Sequence, residues 1–124
     1  MRFAVVTSLL LLLTGCAWSD HFIGIRVNLK KGRTEWPLEG PETLSDTNPG
    51  TLAIEVDVDV SYGEVTVLVF KDERSTEPDA LFHTSSDHHS GQLELHDVRT
   101  RRGRLVIEPN EDAVGYVTVN IDYR

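Results

Sequence analysis

Apolar and polar residues alternate along most of the chain with a period of two, the spacing of half-buried β-strands. The alternation is strictest over residues 52–60, where one face is apolar and the other carries Glu55, Asp57 and Asp59. Similar patterns cover residues 22–30 and 117–121, and weaker candidates are residues 80–84, 92–96 and 104–108. Residues 65–70 form a denser apolar run, as expected of a more central strand. These segments predict strands almost throughout, and no stretch has apolar residues at helical spacing for three turns.

Short segments rich in turn-forming residues separate the predicted strands. Ser61-Tyr62-Gly63 predicts a tight reversal, so residues 52–70 are expected to form a hairpin. Arg102-Gly103 predicts a second tip, which pairs residues 92–97 with residues 104–108. The pattern therefore indicates an all-β fold, a small antiparallel β-sandwich of about seven strands, with a small β-barrel as the alternative.

One segment, residues 31–51, interrupts the strand pattern with three prolines and three glycines. A loop of this length is uncommon in a compact domain and is often functional. Trp36 and Leu38 lie near its centre. Two interpretations follow: these side chains close one open end of the sandwich, or Trp36 forms the centre of a binding loop for sugar or peptide.

The N-terminus has the order of a secretory signal peptide. Arg2 supplies positive charge, and residues 3–13 form an apolar run interrupted only by Thr7 and Ser8. This run is shorter than the roughly 20 apolar residues that a helix needs to span a bilayer, and it fits the apolar region of a signal peptide. The small residues Thr14 and Gly15 follow, as a cleavage site requires.

The sequence Leu13-Thr14-Gly15-Cys16 resembles the lipobox of bacterial lipoproteins. In that family the cysteine thiol receives a diacylglyceryl group, a peptidase cuts just before it, and the new N-terminus is usually acylated. The resemblance covers residues 1–16 alone, and it implies that Cys16 is the lipid attachment site. Lipidation also accounts for an unpaired cysteine in an exported protein, since the chain has no other. The alternative is an ordinary secreted protein with an incidental cysteine.

These features divide the chain into a removed signal peptide (residues 1–15), a lipidated N-terminus with a short tether (16–21) and one β-sandwich domain (22–124). Two or more acyl chains anchor a protein stably, so we expect a cell-envelope protein attached to membrane lipid through Cys16. Ala17 follows the cysteine, which in Gram-negative members of the family usually permits sorting to the outer membrane, facing the periplasm. The processed chain has 11 basic and 20 acidic residues, a net charge of −9 that argues against a nucleic-acid partner.

The basic residues of the domain concentrate in one segment, with Arg99, Arg101, Arg102 and Arg104 around the second predicted tip. One interpretation is charge pairing with the acidic faces. The other follows from the tether of roughly five residues, which reaches less than about 20 Å. Trp18 would then lie at the membrane interface, and the arginines would orient the domain toward anionic lipid.

Candidate metal ligands occur in the histidine-rich segment, where His83 and His88 lie near Asp87. Two histidines and a carboxylate suit zinc or copper, but the segment also has the composition of a polar loop. The acidic positions of residues 55–59 do not predict a calcium site, because a flat strand spreads its carboxylates about 6.6 Å apart instead of converging them. The sequence therefore predicts no metal centre and no cofactor.

No enzyme motif is present, whether G-x-S-x-G, H-E-x-x-H or a phosphate-binding glycine loop. The absence of these motifs does not test for a hydrolase with a Ser-His-Asp triad, because the three residues of such a triad need not be neighbours in the sequence. We expect a binding, adaptor or structural module, with an envelope protein as its possible partner. The alternative is a lipoprotein that binds carbohydrate or a metal ion.

Overall fold

The computed structural model describes residues 22–124, apart from the side chains of Ser86 and Asp87. This part of the chain is antiparallel β-structure with one short 3-10 helix and forms one six-stranded sheet. The strands are β1 (Phe22–Asn28), β2 (Thr34–Glu39), β3 (Gly50–Phe70), β4 (Ala80–Val98), β5 (Arg102–Pro109) and β6 (Val114–Tyr123). The prediction of an all-β antiparallel fold is confirmed.

Strands β3 and β4 are unusually long, and they pair with each other along most of their length. The ladder breaks between Val60 and Glu64, where a bulge interrupts the register. Up to Val60 the even-numbered residues of β3 are buried, and from Val65 the odd-numbered ones are. The prediction of a hairpin turn at residues 61–63 is therefore wrong: the positive φ of Gly63 (88°) serves a bulge inside one strand.

Each half of the β3–β4 pair belongs to its own group of four strands. Residues 50–60 of β3 lie between β6 and the second half of β4, and β1 continues this half-sheet beyond β6. Residues 65–70 lie between β5 and the first half of β4, and β2 continues that half-sheet beyond β5. We call them the first and second half-sheets.

The two half-sheets enclose one apolar core, as expected of a β-sandwich. Val56, Val58, Val117 and Val119 from the first half-sheet are fully buried, as is Leu105 from the second. The halves of β4 also approach each other, because a Cβ atom on Gly91 would lie 2.9 Å from the ring of Phe82.

The bend brings the two ends of β3 to the same end of the sandwich. Lys71, just after β3, donates from Nζ to the carbonyl of His96 near the end of β4, at 3.1 Å. Thr100 donates to the carbonyl of Lys71 at 3.2 Å. The segment 99–101 therefore crosses between the half-sheets, and the predicted hairpin of residues 92–97 with 104–108 is wrong, because β5 pairs with β2 and β3 instead.

Residues 31–51 are not one long loop, which corrects the prediction for this segment. Leu29–Lys31 is a 3-10 helix, β2 follows at Thr34–Glu39, and the longer irregular stretch is residues 40–49. Within β2, Leu38 enters the core and is buried at 1% exposure.

Candidate functional site

The outer face of the first half-sheet carries most of the polar side chains that the alternation predicts. Glu55 of β3 is paired on one side with Asn120 of β6 and on the other with Gln92 of β4. Ala53, one step earlier on the same face, is paired with Asp122 and Glu94. Neighbouring strands lie about 4.8 Å apart, so each row places polar side chains across roughly 10 Å of the surface.

A shallow depression of about 210 Å³ lies over Ala53. Ala53 is the one small residue among the outward positions of residues 52–60, so its row is lower than its surroundings. We call this feature the Ala53 depression; its other outward side chains are those of Phe22, Glu55, Gln92, Glu94, Asn120, Asp122 and Arg124. Of these side chains, only Glu55 belongs to the acidic face predicted from the sequence; the others are not predicted as part of a site.

Carboxylates and amides in the depression are joined by long hydrogen bonds. Asn120 Nδ2 donates to Glu55 Oε1 and Gln92 Nε2 donates to Glu55 Oε2, both at 3.4 Å. Arg124 lies beside the row of Ala53. Its Nη1 is 3.5 Å from Glu94 Oε2, and its Nε is 3.3 Å from Asp122 Oδ2. Bonds of this length lie beyond the usual 2.7–3.2 Å range for N–H···O. They are therefore weak, and a ligand can replace them at little cost.

Phe22 supplies an aromatic ring at the side of the depression. The position of a Cβ atom on Gly24 would lie 4.0 Å from Cε2 of Phe22 and 3.2 Å from Oδ1 of Asn120. One edge of the ring therefore lies close to the outward side of Gly24, where the Asn120 side chain also lies. Phe22 is 55% exposed, so the ring remains open to a ligand.

A second exposed group lies at the opposite end of the same face, beside the bulge of β3. Tyr62 is paired with Val114, and their exposures are 63% and 36%. Tyr116, exposed at 43%, stacks under Arg26, whose guanidinium carbon lies 4.5 Å from the ring centroid. Ser61-Tyr62-Gly63 was interpreted as a turn, so sequence reasoning missed this surface as well.

The histidine candidates for metal binding are engaged by different partners. His83 contacts Thr66 through Nδ1 at 2.8 Å and Glu64 through Nε2 at 3.2 Å. His88 contacts Asp57 at 3.1 Å. Among the described side chains, which exclude that of Asp87, no three His, Cys, Asp or Glu residues are grouped as metal ligands.

All four arginines of the basic segment have acidic neighbours. Arg99 lies 2.9 Å from Asp97, and this pair holds the pKa of the carboxyl below its ordinary value. The remaining pairs are Arg101 with Glu39 and Glu42, Arg102 with Glu39, and Arg104 with Glu35. Arg104 also stacks on Phe70, 3.9 Å from the ring centroid. This geometry favours charge pairing over an open positive patch for lipid.

Of the other candidate residues, Trp36 lies on β2 and not on a loop. It is 36% exposed, and its indole N–H donates to Thr34 Oγ1 at 3.2 Å. Cys16 and Trp18 lie outside the described residues, so their predicted roles stay predictions. Within residues 22–124, no helix has the length and apolar character to cross a membrane.

Comparison with known proteins gives similarity of fold without similarity of sequence. No family profile and no curated protein matches the chain. The crystal structure of PirA superposes with a TM-score of 0.52 at 13% identity, covering 87% of this chain and 97% of that one. A carbohydrate-binding module (CBM6cm-2) of Cellvibrio mixtus lichenase 5A, solved with cellotriose, gives 0.41 at 12% identity, with 80% and 69% covered. A protein of the Bacillus endospore appendages, described as disulfide-linked pili, gives 0.39 at 14% identity, with 91% and 97% covered.

Proposed function

We propose that this chain is a lipoprotein of the bacterial cell envelope whose β-sandwich is a binding module attached to the membrane through Cys16. The observation that carries the proposal is the sequence Leu13-Thr14-Gly15-Cys16 directly after an apolar run of signal-peptide length. Diacylation of Cys16, followed by acylation of the new N-terminus, provides enough buried methylene groups for stable attachment. In a Gram-negative cell the expected location is the periplasmic face of the outer membrane.

The position of Phe22 supports an arrangement in which one end of the sandwich is close to the lipid headgroups. Phe22 pairs with Asp122 and begins β1 at the end where Thr51 bonds to the backbone of Arg124. Ile23 lies in a surface cleft with Arg101 and residues 39–43. Tyr62 and Val114 lie at the opposite end, so a short tether before Phe22 directs them away from the membrane.

The tether also relates the anchor to the Ala53 depression, because Phe22 lines it. Five residues lie between Cys16 and Phe22, so the six Cα–Cα steps reach roughly 20 Å at full extension. A ligand of the depression is therefore met close to the membrane surface. This function requires no cofactor and no catalytic group.

Mass spectrometry of the N-terminal peptide tests the anchor directly. We expect a mature chain that begins at Cys16 and carries a diacylglyceryl group. The variant Cys16→Ser should be unprocessed or should leave the membrane fraction, while Ser19→Ala, in the tether, should fractionate as the unmodified protein does. A mature N-terminus at residue 17 or later, or a Cys16 without lipid, contradicts the proposal.

A further inference from the structure

We infer that the Ala53 depression is a binding site for one hexopyranose unit of a neutral glycan. The inference names the ligand class of the binding module and rests on the proposed function for its place in the cell. The site itself depends only on residues of the domain. It is distinct from Trp36 and from the histidine segment, to which sequence reasoning assigned possible ligands.

The side chains around Ala53 match the chemistry of a sugar. A pyranose carries hydroxyl groups on adjacent carbons, each of which donates one hydrogen bond and accepts others. Planar groups with two polar atoms, such as carboxylates, amides and guanidinium, bind such pairs through both atoms. Glu55, Asn120 and Gln92 present three such groups in one row, and Asp122 and Glu94 present two in the next, with the guanidinium of Arg124 beside them.

Phe22 completes this arrangement with an apolar surface. One face of a hexopyranose presents C–H groups, which pack against an aromatic ring because the ring face is apolar and electron-rich. Gly24 allows the Phe22 ring to lie beside the Asn120 amide, so that apolar and polar contacts are available to one sugar. The small side chain of Ala53 leaves room above the sheet, whereas the space over Gly24 is occupied by Asn120 and Phe22.

The charge of the site selects among ligands. Glu55, Glu94 and Asp122 surround a single cation, Arg124. An anionic glycan or phosphate headgroup is repelled, whereas a neutral sugar uses the carboxylates as hydroxyl acceptors. The neighbours of Phe22 in the depression are polar side chains and the small Ala53. A protein partner would require a larger apolar core than this single ring provides, so the surface favours a sugar over a protein.

The test uses the full chain, expressed in a bacterial host and purified in detergent, with isothermal titration calorimetry. The probes are soluble tetrasaccharides of glucose, galactose, mannose and N-acetylglucosamine, with a uronic acid tetrasaccharide as the anionic comparison. We expect saturable binding of at least one neutral tetrasaccharide and none of the anionic one. The calorimetric assay measures glycan binding and not membrane attachment. A protein without the lipid would therefore still bind glycan, whereas a protein without the glycan site would not.

Ala53→Leu fills the depression without removing a polar group, and Phe22→Ala removes the ring. Each should weaken binding at least about tenfold, equivalent to about 1.4 kcal/mol. Thr118→Leu, two strand positions from Asn120 on the same face, is the matched control and should change affinity less than about twofold. Circular dichroism verifies the fold, and Glu55→Gln provides a surface variant with nearly unchanged shape that should also weaken binding.

Three results overturn the inference. One is the absence of binding by every neutral probe at millimolar concentration. Another is binding that Ala53→Leu and Thr118→Leu leave equally strong, since the ligand then lies elsewhere. The third is an effect of Phe22→Ala on binding to phosphatidylglycerol vesicles without an effect on glycan binding, because Phe22 is then a membrane contact.

Discussion

Gly115, where β6 crosses the bulge of β3, should be the glycine least tolerant of substitution. Its φ of 145° lies in a region that only glycine occupies readily. A Cβ atom there would also collide with the backbone carbonyl of Asp59 and lie 2.9 Å from Cα of Val60. Both atoms belong to the paired strand, so relief requires β3 and β6 to separate at a point where they are hydrogen-bonded.

The magnitude follows from two contributions. Placing alanine in a glycine-only conformation costs about 1 to 3 kcal/mol, and forcing extra volume into a packed site costs a similar amount. Gly115→Ala should therefore lower the free energy of unfolding by about 4 kcal/mol. Gly32 isolates the first contribution: its φ is 79°, and a Cβ atom there meets nothing within 4 Å. Gly32→Ala should cost only about 2 kcal/mol.

Urea unfolding followed by circular dichroism measures both variants against the unmodified protein. Similar m-values are expected, since the surface exposed on unfolding hardly changes. The larger loss for Gly115→Ala reports the backbone contact with Asp59. Equal losses for the two variants would refute the reasoning, because backbone strain alone would then account for both. A loss below about 1 kcal/mol for Gly115→Ala would also refute it, because even the strain contribution would then be missing.

Three further predictions test the core, the charge pairs and the alkaline limit of the fold. Leu105, with no exposed surface, should lose about 3 kcal/mol of unfolding free energy when changed to alanine, whereas Leu81→Ala, 57% exposed, should lose less than about 0.5 in the same urea titration. Burial, with a smaller effect of Glu39, raises the pKa of Tyr123 from 10.0 to about 12. Between pH 10 and pH 12 the Tyr123 phenol is therefore protonated in the folded protein but ionised in the unfolded chain. The contribution of Tyr123 to stability should be constant below pH 10 and should fall by about 1 to 2 kcal/mol toward pH 12, and Tyr123→Phe should remove this fall. The last prediction concerns the four paired arginines, Arg99, Arg101, Arg102 and Arg104. Replacing all four by glutamine in the unlipidated Cys16→Ser chain should leave its binding to anionic liposomes unchanged. A clear loss of binding would show that these arginines contact lipid.

The strands could be predicted from the sequence better than their connections. Alternation located β1, both halves of β3 and β6, because half-buried strands leave a period of two wherever one side meets the core. The same alternation does not separate a bulge from a hairpin turn, since both use a glycine with positive φ, as Gly63 does here. Strand β2 was missed because Pro37 and the surrounding glycines and prolines resemble a loop, although Thr34, Trp36 and Leu38 carry the alternation.

The Ala53 depression could not be predicted because its parts come from four strands whose register is set by the fold. Phe22, Ala53, Gln92 and Asn120 are separated by some thirty residues at each step, and the strand pairing decides which of them share a row. One signal was present in the sequence: an alanine among acidic residues on the outward side of a strict strand. A small residue in such a position marks a low point on a polar surface. Here the low point at Ala53 also has the aromatic ring of Phe22 beside it, and this combination of a small residue, polar neighbours and a ring is what the proposed glycan site requires.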